Sequence, residues 1–233
     1  MISYAFHAHV LAYSPPEYVG VCLAPLKTIC YVKESDEDES NVDDEILILL
    51  RKLKQMANVE KKLKINFKGF LSIASCCASL ARIFHKFFNV GKENILECLL
   101  EMDIKYAISF SGGFSFVDQK ISAGKEIGMI VVKTEGEEKP SPYVRDIKNA
   151  IIEGDVEKLG LLCEKGMNDV PHKLQKLWEM VHNLREKGIP CYLSFGIFPL
   201  IITYPEIMGE IINALQIKNF DVEIVNPATQ KDV

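Results

Sequence analysis

Residues 69–88, GFLSIASCCASLARIFHKFF, constrain this chain more than any other stretch. A loop of small residues runs directly into a strongly apolar helix, and residues 61–67 (KKLKINF) before it read as a short strand. A helix this apolar belongs in a core rather than on a surface. Ser72 stands where an N-cap belongs, its side-chain oxygen able to accept an N–H of the first turn. Small side chains and N–H groups at a helix start also suit a bound phosphate. The residues alone leave both readings open.

The rest of the chain alternates strands and helices in blocks. Residues 3–13 read as a strand ended by Pro15-Pro16, and 18–33 as one or two strands broken near Pro25. Residues 44–58, 72–88 and 93–102 carry helical spacing, and 106–117 a strand interrupted by Gly112-Gly113. Residues 127–133 (IGMIVVK) read as a buried strand and 139–142 as a linker. Helices over 143–153, 155–165 and 171–187 follow, the first two separated by Gly154-Asp155 and the third capped by Gly188. A strand–turn–strand over 191–203, a helix over 205–216 and a strand over 220–225 close the order. Connections this short favour antiparallel pairing, so the expected class is α+β with two lobes, 1–138 and 139–233.

Composition narrows the function classes. The chain has 233 residues, 48% of them apolar, which suffices for a large core. No apolar run is long enough to span a bilayer, and the opening MISYAFHAHV does not read as a signal peptide, so the expectation is a cytoplasmic protein without a membrane partner. A net charge of −5 argues against nucleic acid as the main partner. Eight of the twelve residues over 34–45 are acidic, which reads as an exposed loop and the first turn of a helix. The seven cysteines lack zinc-site spacing and read as reduced, buried thiols, with no metal site expected. Trp178 and Met180 read as core residues of a helix.

Several stretches resemble the galactokinase, homoserine kinase, mevalonate kinase and phosphomevalonate kinase (GHMP) superfamily. Gly69, Phe70, Leu71, Ser72, Ile73, Ala74, Ser75, Cys76, Cys77 and Ala78 resemble its phosphate loop. Gly112-Gly113-Phe114 matches its double glycine, AIIEGDVEKLGLLCEKG (150–166) its C-lobe helix pair, and CYLSFGIFPLII (191–202) its late strand turn. Pantoate kinases of archaea look nearest. Their opening pattern is similar to Phe6, His7, Ala8, His9, Val10 through Pro15, and their late turn to Ser194, Phe195 and Gly196. Mevalonate diphosphate decarboxylases come second, through residues 72–78 and 192–199.

The resemblance implies a two-lobed α+β fold and a kinase that uses Mg-ATP on a small hydroxy acid, as in coenzyme A biosynthesis. Ser72, Ala74, Ser75 and Cys76 would hold phosphates; His9, Ser194 and Gly196 would meet the substrate. Asp103 would orient or deprotonate the hydroxyl, and Lys105 would neutralise charge on the transferring group. The partner is then a small molecule, and a homodimer stays open. Departures from the family pattern support two alternatives. Ser72 replaces a loop glycine, Lys105 stands where kinases carry the catalytic aspartate, and Phe195 stands at the decarboxylase aspartate. One alternative is an ATP-independent decarboxylase of a phosphorylated mevalonate. The other is a catalytically inactive binding or regulatory protein. The kinase reading predicts open N–H groups at Ser75, Cys76 and Cys77, and the inactive reading predicts none.

Overall fold

The computed structural model describes residues 1–14, 17–36, 42–102, 104, 126–165 and 169–228. They fall into two compact units. One holds 1–8, 22–36, 42–102 and 104, and the other holds 9–14, 17–21, 126–165 and 169–228. The chain passes through both units along its first two strands, β1 (Ile2–Ser14) and β2 (Glu17–Glu34). The expected linker at 139–142 lies inside the second unit.

In the first unit, β2 pairs antiparallel with β3 (Leu63–Gly69), in register from Thr28↔Gly69 to Glu34↔Leu63. Alternation decides which face is covered. Thr28, Cys30 and Val32 of β2 and Leu63 and Ile65 of β3 point inward and are buried. Three helices cover that face: α1 (Asp44–Met56), α2 (Ile73–Phe87) and α3 (Lys92–Glu101). In α1 the buried residues Ile46, Leu49, Leu50 and Leu53 recur at helical spacing. In α2 nine residues are buried, including Leu80, Ile83 and Phe84, which are fully inaccessible. Small residues let α2 lie close to β1, where the Ser3 hydroxyl donates to the Ser79 carbonyl.

In the second unit, β4 (Gly128–Val132) is buried along its whole length, as an all-apolar run predicts. It pairs antiparallel with β7 (Val222–Pro227) on one side and β6 (Leu200–Thr203) on the other, and β6 pairs with β5 (Cys191–Ser194). Helices α4 (Val144–Glu153), α5 (Val156–Lys165), α6 (Gln175–Glu186) and α7 (Met208–Ile217) complete it. Left-handed Gly154 and Gly188 end α4 and α6, the positions at which an L side chain is strained. Leu177, Val181 and Leu184 of α6 meet Ile201 of β6 and Ile211 and Leu215 of α7 in one core, with Trp178 and Met180 packed against it.

The α+β class and the antiparallel pairing match the expectation. Two details differ. Strand β2 runs unbroken through Pro25, which is exposed. Helices expected from 171 and from 205 start as short 3₁₀ turns, His172–Leu174 and Pro205–Ile207, before α6 and α7 begin. Among the described residues, no helix is long and apolar enough to cross a membrane.

Candidate functional site

The two units each gather part of the residues expected at a site. In the first, the connection from β3 to α2 is short, and Phe70 N–H donates to the Lys27 carbonyl at 3.0 Å. Ser72 is extended (φ −110°, ψ 149°) and caps α2, accepting the Ser75 N–H at 3.2 Å on its hydroxyl oxygen. Its carbonyl accepts the Cys76 N–H at 2.9 Å. The Ser72 and Ser75 hydroxyls lie 2.5 Å apart, and the Ser75 oxygen is 3.0 Å from Thr28 Oγ1, which also bonds to the Phe70 carbonyl. Thr28, Ser72 and Ser75 are all buried. Three hydroxyls and a carbonyl therefore satisfy one another at the start of α2, and Ala74 sits half-buried in its first turn.

Neighbouring groups are kept neutral. Burial pushes the Cys76 thiol up to about 12 and the His7 imidazole down to about 4. The His7 ring packs edge-on against Phe70 with centroids 4.8 Å apart. Burial also raises Cys22, Cys30, Cys77, Cys163 and Cys191 to about 12, so these thiols are poor nucleophiles. All seven cysteines are free and buried.

In the second unit, His9, Ser194 and Gly196 come together. His9 Nε2 lies 3.0 Å from Ser194 Oγ, and both residues are buried. A Cβ on Gly196 would stand 2.5 Å from His9 Cε1, so the ring occupies space that only glycine leaves open. The buried Cys163 thiol also lies beside Ser194. Beside this pair, Glu164 makes a two-pronged ion pair with Arg185 (2.7 and 3.3 Å) and accepts the Leu193 N–H at 2.9 Å. Arg185 in turn lies over the Tyr192 ring. Phe195 is buried, its ring stacked on Trp178 with centroids 6.1 Å apart.

Asp103, Lys105 and the Gly112-Gly113 pair lie outside the described residues. Thr28, Cys163 and the Glu164–Arg185 pair were not singled out from sequence. Thr28 carries the one legible signal, a hydroxyl alternating in phase with buried Leu26 and Cys30. Among the described residues, no three His, Cys, Asp or Glu side chains converge as metal ligands.

No protein-family model matches this chain, and no curated protein matches it by sequence. Solved structures do match by fold. Mevalonate diphosphate decarboxylase from Staphylococcus aureus is 14% identical, with a TM-score of 0.74 over 98% of this chain and 97% of that one. The Enterococcus faecalis decarboxylase, solved in a study of mevalonate-diphosphate-mediated ATP binding, is 13% identical at 0.73 over 97% and 96%. Mevalonate-3-kinase from Thermoplasma acidophilum, with mevalonate bound, is 9% identical at 0.64 over 97% and 96%. The chain thus has the GHMP-kinase-like fold, as the sequence resemblance implied, shared with decarboxylases and a kinase.

Proposed function

We propose that this chain is a binding or regulatory protein on the GHMP-kinase-like fold, one that does not transfer phosphate. The observation that carries this reading is that the Ser75 and Cys76 N–H groups at the α2 start already have partners. Holding a phosphate there requires N–H groups without internal partners. Here Ser72 takes the Ser75 and Cys76 N–H groups, and Ser75's hydroxyl is shared with Thr28 and Ser72. Opening that network in a buried site costs about 1–3 kcal/mol for each polar group left unpaired.

A specific observation favours a second reading, a pantoate-kinase-like enzyme acting on a small hydroxy acid. The residues expected to meet the acid, His9, Ser194 and Gly196, are adjacent. In that reading Ser72, Ala74, Ser75 and Cys76 hold the phosphates of Mg-ATP. Lys105 neutralises the transferring group and Asp103 orients the hydroxyl. The likeness to decarboxylases favours a third, ATP-independent decarboxylation of a phosphorylated mevalonate.

Calorimetric titration separates the three. The leading reading predicts no saturable heat with Mg-ATP or with phosphorylated mevalonates, each at millimolar concentration. Saturable Mg-ATP binding with phosphoryl transfer to pantoate would overturn it in favour of the kinase. Binding of a phosphorylated mevalonate alone, with release of carbon dioxide, would overturn it in favour of the decarboxylase.

A further inference from the structure

We infer that the outer face of the first unit's sheet binds single-stranded nucleic acid. Helices cover the inner face, and strand alternation turns Lys27, Ile29, Tyr31 and Lys33 of β2 and Lys64, Asn66 and Lys68 of β3 the other way. The register sets Ile29 opposite Lys68, Tyr31 opposite Asn66 and Lys33 opposite Lys64, so these side chains share one surface. Tyr4 of β1 joins them, its ring 5.2 Å from the Lys27 ammonium and 5.1 Å from the Arg82 guanidinium. The Lys68 ammonium lies 5.4 Å from the Tyr31 ring.

Among the described residues of these three strand segments, charge has one sign. Residues 2–8, 27–33 and 63–69 contain four lysines and no aspartate or glutamate. Among the described residues, none of Lys27, Lys33, Lys64 and Lys68 makes an ion pair. The net charge of −5 hides this patch, because the acids cluster beyond it, eight of them within residues 34–45; the first, Glu34 at the end of β2, lies opposite inward-facing Leu63 and pairs with Lys61. At about 3.3 Å per residue, Lys27 and Lys33 stand about 20 Å apart and Lys64 and Lys68 about 13 Å apart along their strands. Four cations over that length can follow several phosphates of an extended strand.

The tyrosines select the class of polyanion. An acidic peptide would use the lysines alone, whereas a single strand offers both phosphates and flat bases. Base stacking on an aromatic side chain adds about 1–3 kcal/mol and tolerates any sequence. Lysine stems are flexible, so an ammonium lying over a ring can move to a phosphate as a base takes its place. The inference does not depend on whether α2 takes ATP, since this face is the side of the sheet opposite the helices.

The test is fluorescence anisotropy of the full chain with labelled oligouridylate and oligothymidylate of about a dozen nucleotides. Saturable binding is expected at low salt. With four phosphates neutralised, affinity falls about fiftyfold between about 50 and about 200 mM salt. The double reversal Lys27→Glu/Lys68→Glu should weaken binding at least about tenfold, and Tyr31→Ala about tenfold. Lys68→Arg should retain it. The charge-matched control Lys176→Glu/Lys187→Glu, on and just after α6, should leave binding within about twofold. Circular dichroism confirms that each variant is folded. Absence of saturable binding at low salt would overturn the inference. So would an equal loss in the control pair, or a polyglutamate peptide binding as tightly as the oligonucleotides.

Discussion

The two polar clusters of this molecule are built on opposite principles. At the α2 start of the first unit, Thr28, Ser72 and Ser75 are neutral hydroxyls that satisfy one another and the backbone around them. In the second unit, His9 faces Ser194, and Glu164 holds Arg185 and the Leu193 N–H, so titratable groups carry the contacts. A hydroxyl cluster with internal partners has little to offer an anion. A histidine beside a serine can exchange donor and acceptor roles with its tautomer. The contrast sets a neutral helix cap at the α2 start against titratable polar groups beside β5.

Perturbing each cluster sharpens that contrast, and the largest effect is expected at Glu164. Glu164→Ala leaves Arg185 and the Leu193 N–H without their partner and should lower stability by about 3 kcal/mol in urea denaturation. A change under about 1 kcal/mol would show the pair to be a surface feature.

A pH effect of similar size belongs to His7. Its folded value is pushed down to about 4 from the usual 6.5 by burial. Its stabilising contribution is therefore complete above pH 6.5 and lost as pH falls toward 4, because the unfolded chain binds the proton first. The loss amounts to about 3 kcal/mol in all. His7→Leu should flatten this slope of stability against pH between 6.5 and 4, and an unchanged slope would assign it to other groups.

Gly196→Ala drives a methyl group into the His9 ring and should cost about 2 kcal/mol. The double variant with His9→Ala should recover part of that loss, since the clash is with the imidazole. Full additivity would place the strain elsewhere. At the α2 start, Thr28→Val removes one hydroxyl from the buried network and should cost about 1–2 kcal/mol. Ser72→Ala, which removes only the cap, should cost about 1 kcal/mol. If either were neutral by thermal melts, the network would not be holding the helix start.

Much of the fold was legible because local signals agreed with one another. The apolar run over 127–133 became β4, the helical spacing over 44–58 became α1, and Gly154 and Gly188 ended helices as expected. Ser72 as a cap was legible for the same reason, since its partner is three residues away. Thr28 was not, because it reaches Ser75 across 47 residues and nothing near it in sequence marks that contact. Cys163 and Glu164 sit on a helix whose spacing gives no hint of Ser194 and Leu193 as partners. The meeting of His9, Ser194 and Gly196 joins residues 185 positions apart, and only the family resemblance pointed to it. The lysine-rich face was concealed by averaging, since whole-chain charge reports the acidic segment as strongly as the sheet.

The backbone amide signals of Ser75 and Cys76 give the most direct measurement of whether the α2 start takes a phosphate. Followed by two-dimensional NMR during a titration with Mg-ATP, both should stay in place, because each N–H is already held by Ser72. Saturable shifts of these two amides would contradict the account and return this helix start to nucleotide binding.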